Sequence, residues 1–135
     1  MSEKDRNYPP LKYFKRKEFE CPLAKDDGEN MCASFLQKLD TARGMAKIPF
    51  KINSGYRSPA HNTAVGGVKN SSHMNIPCNA ADISARSSNE KFLILVSLMA
   101  QGFTRFGIGE NFIHVDSDDT KNGGDKTPNV IWDYY

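Results

Sequence analysis

A chain of 135 residues fits one compact domain over residues 1–135, because such a chain buries about two thirds of its unfolded surface around one core. Its 39% hydrophobic residues exclude a disordered chain, and its net charge of +2 argues against a nucleic-acid partner. It has no apolar run long enough for a membrane span and no apolar signal-peptide core. We therefore expect synthesis in the cytoplasm without a signal peptide, and a monomer.

Proline and glycine divide the first half of the chain into segments. Residues 1–31 are rich in prolines and charges and are expected to form an irregular N-terminal wrap. Apolar residues then recur at helical spacing and predict an amphipathic helix over 33–48. Apolar and polar residues then alternate over 50–53, which predicts a short strand that ends before Gly55. Ser58 followed by Pro59 is typical of the start of a helix.

The second half predicts a strand, a helix and two further strands. "AADIS" (80–84) is a short strand candidate. Ser87 and Glu90 form a capping box that opens a helix ending at Gly102, and its nearly continuous apolar sequence predicts a central buried helix. Two segments rich in β-branched and aromatic residues follow, at 105–117 and 129–135. Helices and strands that do not alternate indicate an α+β fold, with an antiparallel sheet packed against helices.

The segment "FIHVD" (112–116) has the alternation of a strand with two different faces. Ile113 and Val115 are expected to face the core, which places His114 and Asp116 on the opposite face. The same parity brings Glu110 to the side of His114. One face of this strand therefore carries most of the ionisable side chains.

Three residues of suitable type could bind a metal ion. Zinc is bound by neutral imidazole and carboxylate groups, and a catalytic zinc keeps three protein ligands. His73, Asp82 and His114 would supply that set, although spacing alone leaves hydrogen-bonded or exposed histidines as the alternative. His61 has no carboxylate nearby in sequence and is interpreted as a structural residue or part of a cleft wall.

Three motifs together give a more specific indication. "SGYRSPAHNTAVGGVKNSSH", "AADIS" and "FIHVD" resemble, in this order, the zinc D-alanyl-D-alanine carboxypeptidase family. That family includes VanX-like dipeptidases, phage L-alanyl-D-glutamate endolysins and, by shared fold, the hedgehog signalling domain. The resemblance is greatest to short stand-alone phage and bacterial members, and it implies a hedgehog/DD-peptidase-like fold.

The resemblance implies a zinc peptidase that hydrolyses peptidoglycan stem peptides, as a carboxypeptidase or an endolysin. Its place of action would be the bacterial cell wall, including after phage lysis. Two alternatives remain open: a non-catalytic zinc-binding recognition module, and a phage virion component that carries a wall-cutting domain.

The family motifs also imply roles for individual residues. His73, Asp82 and His114 match the metal ligands, and Arg57 of "SGYRS" matches an arginine that holds substrate carboxylate or carbonyl groups. Ser71 matches the serine of the family's SxH motif and is expected to contribute to substrate binding.

The general base is expected to be Glu110, with Asp116 orienting an imidazole or Arg57. Glu110 would lie about 13 Å from His114 along an ideal strand, so this role requires the chain to bend after Gly109.

The sequence departs from the family pattern between the first two ligands. Nine positions separate His73 from Asp82, which is longer than is usual in the family, and Cys78 stands where a glycine is usual. A longer loop costs little closure entropy. Cys78 is expected to be a buried inert thiol, with metal ligation as the alternative.

Overall fold

The computed structural model describes residues 7–22 and 26–134. The helices of this part are α1 (Ala33–Ala46), α2 (Pro59–Ala64) and α3 (Ser88–Ala100). Its strands are β1 (Ile52–Ser54), β2 (Ala80–Ser84), β3 (Arg105–Ile108), β4 (Phe112–Asp116) and β5 (Val130–Asp133). The fold is α+β, with a five-stranded sheet packed against helices, as the sequence predicted.

The sheet has the strand order β1-β2-β4-β3-β5. Neighbours pair antiparallel, as predicted, except for β3 and the edge strand β5, which are parallel. Strand β4 is already flanked by β2 and β3, so β5 runs back antiparallel to β4 on the free edge of β3 and is therefore parallel to β3.

The core lies between the helices and one face of the sheet. Ile83 on β2 and Ile113 and Val115 on β4 are fully buried there, together with Leu36 and Leu39 of α1. Each such side chain contributes roughly 1.5–3 kcal/mol of burial free energy. The predicted inward face of "FIHVD" is thus confirmed, and the opposite face of β2 and β4 is left for polar side chains.

Helix α3 differs from its prediction as a central buried helix. Ile94 and Leu98 are fully buried, but Phe92, Val96 and Met99 are 64%, 45% and 46% exposed. The helix packs against α1 and β4 through one face only. Its apolar sequence therefore predicted more burial than the fold provides. Within residues 7–22 and 26–134, no helix is both long and apolar enough to cross a bilayer.

The described part of the N-terminal wrap is irregular but packs onto the core. Two 3-10 turns, Arg16–Phe19 and Asp27–Asn30, interrupt it. Phe19 is fully buried, and its carbonyl oxygen accepts a hydrogen bond from the Tyr56 amide at 3.0 Å. The contact with Gly55 is closer still, because a Cβ on that glycine would lie 2.6 Å from the Phe19 Cβ.

Candidate metal centre and substrate groove

Three structural elements bring the predicted metal ligands together. Asp82 on β2 is the direct cross-strand partner of His114 on β4, so both side chains lie on the polar face of the sheet. His73 lies in a 3-10 turn (Ser72–Met74). The Ser71 hydroxyl caps this turn by accepting a hydrogen bond from the His73 amide at 3.2 Å. His73, Asp82 and His114 form a group whose ligand atoms lie within 4.8 Å of one another.

The donor atoms of this group have spacings that suit a tetrahedral ion. His73 Nε2 lies 3.3 Å from Asp82 Oδ1 and 3.2 Å from His114 Nδ1, and the remaining pair is 2.9 Å apart. With zinc–ligand bonds of about 2.0–2.1 Å, neighbouring ligands of a tetrahedral zinc are about 3.3–3.4 Å apart. The residues therefore fit such an ion with only small adjustments.

Each histidine of the metal group has a hydrogen bond at the ring nitrogen that faces away from Asp82. These bonds leave the other ring nitrogen of each histidine with a lone pair towards the shared metal position. His73 Nδ1 lies 2.7 Å from the Gly55 carbonyl oxygen, and His114 Nε2 lies 2.7 Å from Asp116 Oδ2. Both acceptors require the facing nitrogen to carry the proton. The other two nitrogens then present lone pairs beside Asp82, an arrangement that a cation stabilises and that outer partners commonly enforce on metal-binding histidines.

The electrostatic environment of the metal group favours an ionised Asp82 beside a positive charge. Burial alone would lower the pKa of His114, but hydrogen bonds with Asp116 and Asp82 raise that pKa above its ordinary value. Burial would likewise raise the pKa of Asp82, but hydrogen bonds from His114 and His73 lower it well below its usual range. The site stabilises a carboxylate against positive charge, so protons and a metal ion compete for it.

Arg57 lies beside the metal group and is held by three acceptors. Its Nη2 donates to Asp82 Oδ2 at 3.2 Å, its Nε to Ser54 Oγ at 3.0 Å and its Nη1 to Asn62 Oδ1 at 3.2 Å. These contacts use three of the five N–H groups of a guanidinium and leave two that can bind a substrate oxygen. Arg57 is thus rigidly placed next to the donors, unlike a surface ion pair.

Asp116 contacts a different arginine from the one expected. Its Oδ2 accepts from His114, as an orienting carboxylate would, while its Oδ1 accepts from Arg105 Nε at 2.7 Å. Arg105 is the cross-strand partner of Asp116 on β3, whereas Arg57 contacts Asp82 instead. Arg105 was not among the predicted site residues, because its role depends on the register of the β3–β4 hairpin.

Glu110 is not brought to the metal group. It is exposed at the tip of the β3–β4 hairpin, where the Gly109 amide donates to the Phe112 carbonyl oxygen at 2.9 Å. The strand pairing runs without a bulge from Arg105 to Ile108, and the chain does bend after Gly109, but this bend does not bring Glu110 into the metal group's cavities. The bend is a tight hairpin turn, in which Glu110 is exposed and does not line the groove described next.

A groove crosses the polar face of the sheet at the metal group. A large cavity of about 580 Å³ is lined by His73, His114 and Ser71, among others. A small cavity of about 260 Å³ adjoins it and is lined by residues that include Asn53 and His61. The two cavities share four lining residues: Arg57, Val65, Asp82 and Phe112.

One wall of the large cavity is aromatic. The Phe112 and Tyr134 rings are 5.1 Å apart, and Trp132 lies 5.5 Å from the His114 ring. Gly107 makes this wall possible, since a Cβ there would lie 2.5 Å from Tyr134 and 2.6 Å from Trp132. Neither Trp132 nor Tyr134 was predicted to line the site, because only the pairing of β5 with β3 and the bond of the Tyr134 amide to Ile108 carry them there.

A model of the peptidase M15 family matches residues 12–116. The chain belongs to the peptidase M15 family. It is therefore a member of a metallopeptidase family whose enzymes depend on zinc, and its His-Asp-His group offers the donors that such an ion needs. No curated protein matches the chain.

The M15 match ends at Asp116, so the connection after β4 and strand β5 lie beyond it. In this connection Lys126 Nζ contacts the Asn70 carbonyl oxygen and Ser72 Oγ, both at 2.7 Å. Ser72 also donates to Asp118 at 2.8 Å. These bonds fasten the connection to the segment that carries His73.

The segment between His73 and Asp82 contacts the N-terminal part of the chain through the backbone of Cys78. The Cys78 amide donates to the Asn30 carbonyl oxygen at 2.7 Å, and the Cys78 carbonyl accepts from the Cys32 amide at 2.8 Å. The thiol is fully buried, and burial raises the pKa of Cys78 to about 12. Cys78 is not part of the metal group found among the described residues, which agrees with a buried inert thiol.

Proposed function

We propose that the chain is a zinc-dependent peptidase that hydrolyses peptidoglycan stem peptides. The observation that carries the proposal is the convergence of His73 Nε2, Asp82 Oδ1 and His114 Nδ1 at distances that fit zinc. A bound zinc ion supplies Lewis acidity towards a peptide carbonyl and towards water.

The chain's own residues prepare this chemistry. Gly55 and Asp116 hold the two imidazoles with their lone pairs inward, so little reorganisation is needed on binding the ion. Arg57 lines the groove beside Asp82, so its two remaining N–H groups are available to a substrate carbonyl oxygen that gains negative charge. Charge-assisted hydrogen bonds of this kind are about twice as strong as neutral ones.

The groove suits an extended peptide that contacts apolar and aromatic side chains. Val65 and Val68 are 53% and 70% exposed on one rim, and Trp132 and Tyr134 form the wall of the large cavity. We assign Ser71 a place beside the substrate, because it lines this cavity while it caps the turn of His73. Family membership supports a peptidoglycan stem peptide as the substrate class.

The test is incubation of purified peptidoglycan with the zinc-loaded protein, followed by mass spectrometry of the soluble fragments. We expect new amino and carboxyl termini within the stem peptide and an unchanged glycan. The matched control is the same protein after removal of the metal by a chelator. Stoichiometric zinc binding without any hydrolysis would instead support a non-catalytic recognition module.

A further inference from the structure

Asn62 joins the Arg57 side chain to the rim of the groove. It lies on α2 and is only 3% exposed, although its side chain is polar. Its Oδ1 accepts from Arg57 Nη1 at 3.2 Å, and its Nδ2 donates to the Val68 carbonyl oxygen at 2.9 Å. Arg57 and Val68 both line the large cavity, so one buried carboxamide is bonded to two residues that face the groove.

The chemistry of its two partners fixes the orientation of this carboxamide. A guanidinium only donates hydrogen bonds, and a backbone carbonyl only accepts them. Oδ1 must therefore face Arg57, and Nδ2 must face the carbonyl of Val68. An aspartate at position 62 would lack the donor, and an alanine would lack both groups.

The backbone of Asn62 also holds the rim segment, residues 65–68. Helix α2 ends in a Schellman turn, in which the Gly67 amide donates to the Asn62 carbonyl oxygen at 2.8 Å. Gly66 adopts the left-handed conformation that this turn requires, with φ +70°. Val68 follows the turn and is 70% exposed. The position of this apolar side chain thus depends on both the backbone and the side chain of Asn62.

The carboxamide of Asn62 has little room to move. A Cβ on Gly67 would lie 2.1 Å from Asn62 Oδ1 and 3.1 Å from Arg57 Nη1. The other described acceptors of the Arg57 side chain, Ser54 on β1 and Asp82 on β2, belong to the sheet. Asn62 is therefore the acceptor that ties the guanidinium to the rim segment rather than to the sheet.

We propose that Asn62 is a positioning residue, which sets the guanidinium of Arg57 and the side chain of Val68 at a fixed separation for the substrate. This inference rests on the proposed function. Arg57 contacts the oxygen that gains negative charge in the reaction, whereas Val68 contacts an apolar part of the peptide. Asn62 lines neither cavity, so it acts through these two residues.

The decisive experiment is a double-mutant cycle between Asn62→Ala and Arg57→Lys, with hydrolysis of a stem pentapeptide by the zinc-loaded protein as the measurement. Asn62→Ala should lower kcat about tenfold, the effect of one charged hydrogen bond. In the Arg57→Lys background the same substitution should lower kcat by less than about twofold, because residues that act through one another are not additive. Equal losses in both backgrounds would overturn the inference, since they would indicate a purely structural role.

Asn62→Asp separates the two contacts of the carboxamide. The carboxylate still accepts from Arg57, but it cannot donate to the Val68 carbonyl oxygen. We expect kcat to stay within about threefold of wild type and KM to rise about fivefold, the effect of one neutral hydrogen bond on substrate binding. A kcat as low as that of Asn62→Ala, or an unchanged KM, would contradict the proposed division of roles.

Two further variants control for folding. Thr63→Ala also loses one hydrogen bond on α2, to the Pro59 carbonyl oxygen at 3.1 Å, but Thr63 is exposed and lines neither cavity, so its kinetics should equal those of wild type. Gly67→Ala keeps Asn62 and should displace its carboxamide from Arg57, with a loss of kcat like that of Asn62→Ala. Zinc content and melting temperature are measured for each. Wild-type kcat in a folded Gly67→Ala would overturn the inference.

A binding measurement separates this inference from the proposed hydrolysis. The sequence has a single tryptophan, Trp132, and it lines the large cavity, so its fluorescence reports occupancy of the groove. The metal-free Asn62→Asp protein should bind the pentapeptide about fivefold more weakly than metal-free wild type. Equal binding would overturn the inference even if wild type hydrolyses the peptide. Weaker binding by Asn62→Asp, without hydrolysis by zinc-loaded wild type, would overturn the proposed function and support the role of Asn62 at the rim.

Discussion

The two ends of the β4 hairpin strand have opposite chemical character. At its C-terminal end His114 and Asp116 are buried, and each contacts a charged group on a neighbouring strand. At the other end Glu110 lies in an exposed turn outside both cavities. Parity along a strand assigns a side chain to a face, but the neighbouring strands decide which part of that face becomes a site. The expected effects of substitution therefore decrease steeply from one end to the other.

The largest effect is expected for His114→Ala. Loss of one of three donors should abolish stoichiometric zinc binding and peptide hydrolysis, since a catalytic zinc normally keeps three protein ligands. Zinc content by elemental analysis and turnover of the stem pentapeptide measure this, with His61→Ala as the control that keeps its metal. Full zinc occupancy in His114→Ala would show that the donor group is misassigned.

Asp116→Asn should have the next largest effect. The amide cannot accept from His114 and Arg105 as a carboxylate does, so zinc affinity should fall about 10- to 100-fold, as for other partners of metal-binding histidines. Competition with a chromophoric chelator measures the affinity. If Asp116→Asn bound zinc normally but had lost turnover, Asp116 would be assigned to proton transfer instead.

Arg57→Lys sharpens the contrast within the groove. An ammonium group cannot contact Ser54, Asn62 and Asp82 together and still offer N–H groups to a substrate. We expect unchanged zinc content and a kcat/KM lower by about tenfold or more, the effect of one charged hydrogen bond. Normal turnover in this variant would make Arg57 a structural residue.

The smallest effect is expected at the hairpin tip. Glu110→Gln should retain zinc and keep its turnover within about twofold, because surface substitutions away from a site change free energies by only about 0.5 kcal/mol. A general base would instead cost about 100- to 10,000-fold. A loss of that size would restore the catalytic role expected from the sequence and break the contrast between the two ends of the strand.

Local patterns predicted the elements well but not their surroundings. The caps at Ser58 and Ser87 and the alternation of "FIHVD" depend on neighbours in sequence, and the structure has them as predicted. The exposed face of α3 was missed because hydrophobicity does not state how much of a helix its neighbours cover.

Within the site, side chains that match family motifs were predictable, whereas their partners were not. The donors His73, Asp82 and His114 come together as the motifs implied. The Gly55 carbonyl that orients His73 carries no side-chain signal, and Arg105 depends on cross-strand register. Trp132 requires in addition that β5 occupies the free edge of β3, which no local sequence pattern states.

The contact of Phe19 with Gly55 has a consequence for how this protein can be shortened. The carbonyl of Gly55 orients His73, and the amide of the next residue, Tyr56, is bonded to Phe19. A truncated form that starts at α1 would remove this support while leaving every sheet strand and every metal donor in the chain. Shortened forms of this protein should therefore begin before Phe19. The segment that they keep contributes no metal ligand of the His-Asp-His group, but it supports the residue that orients His73.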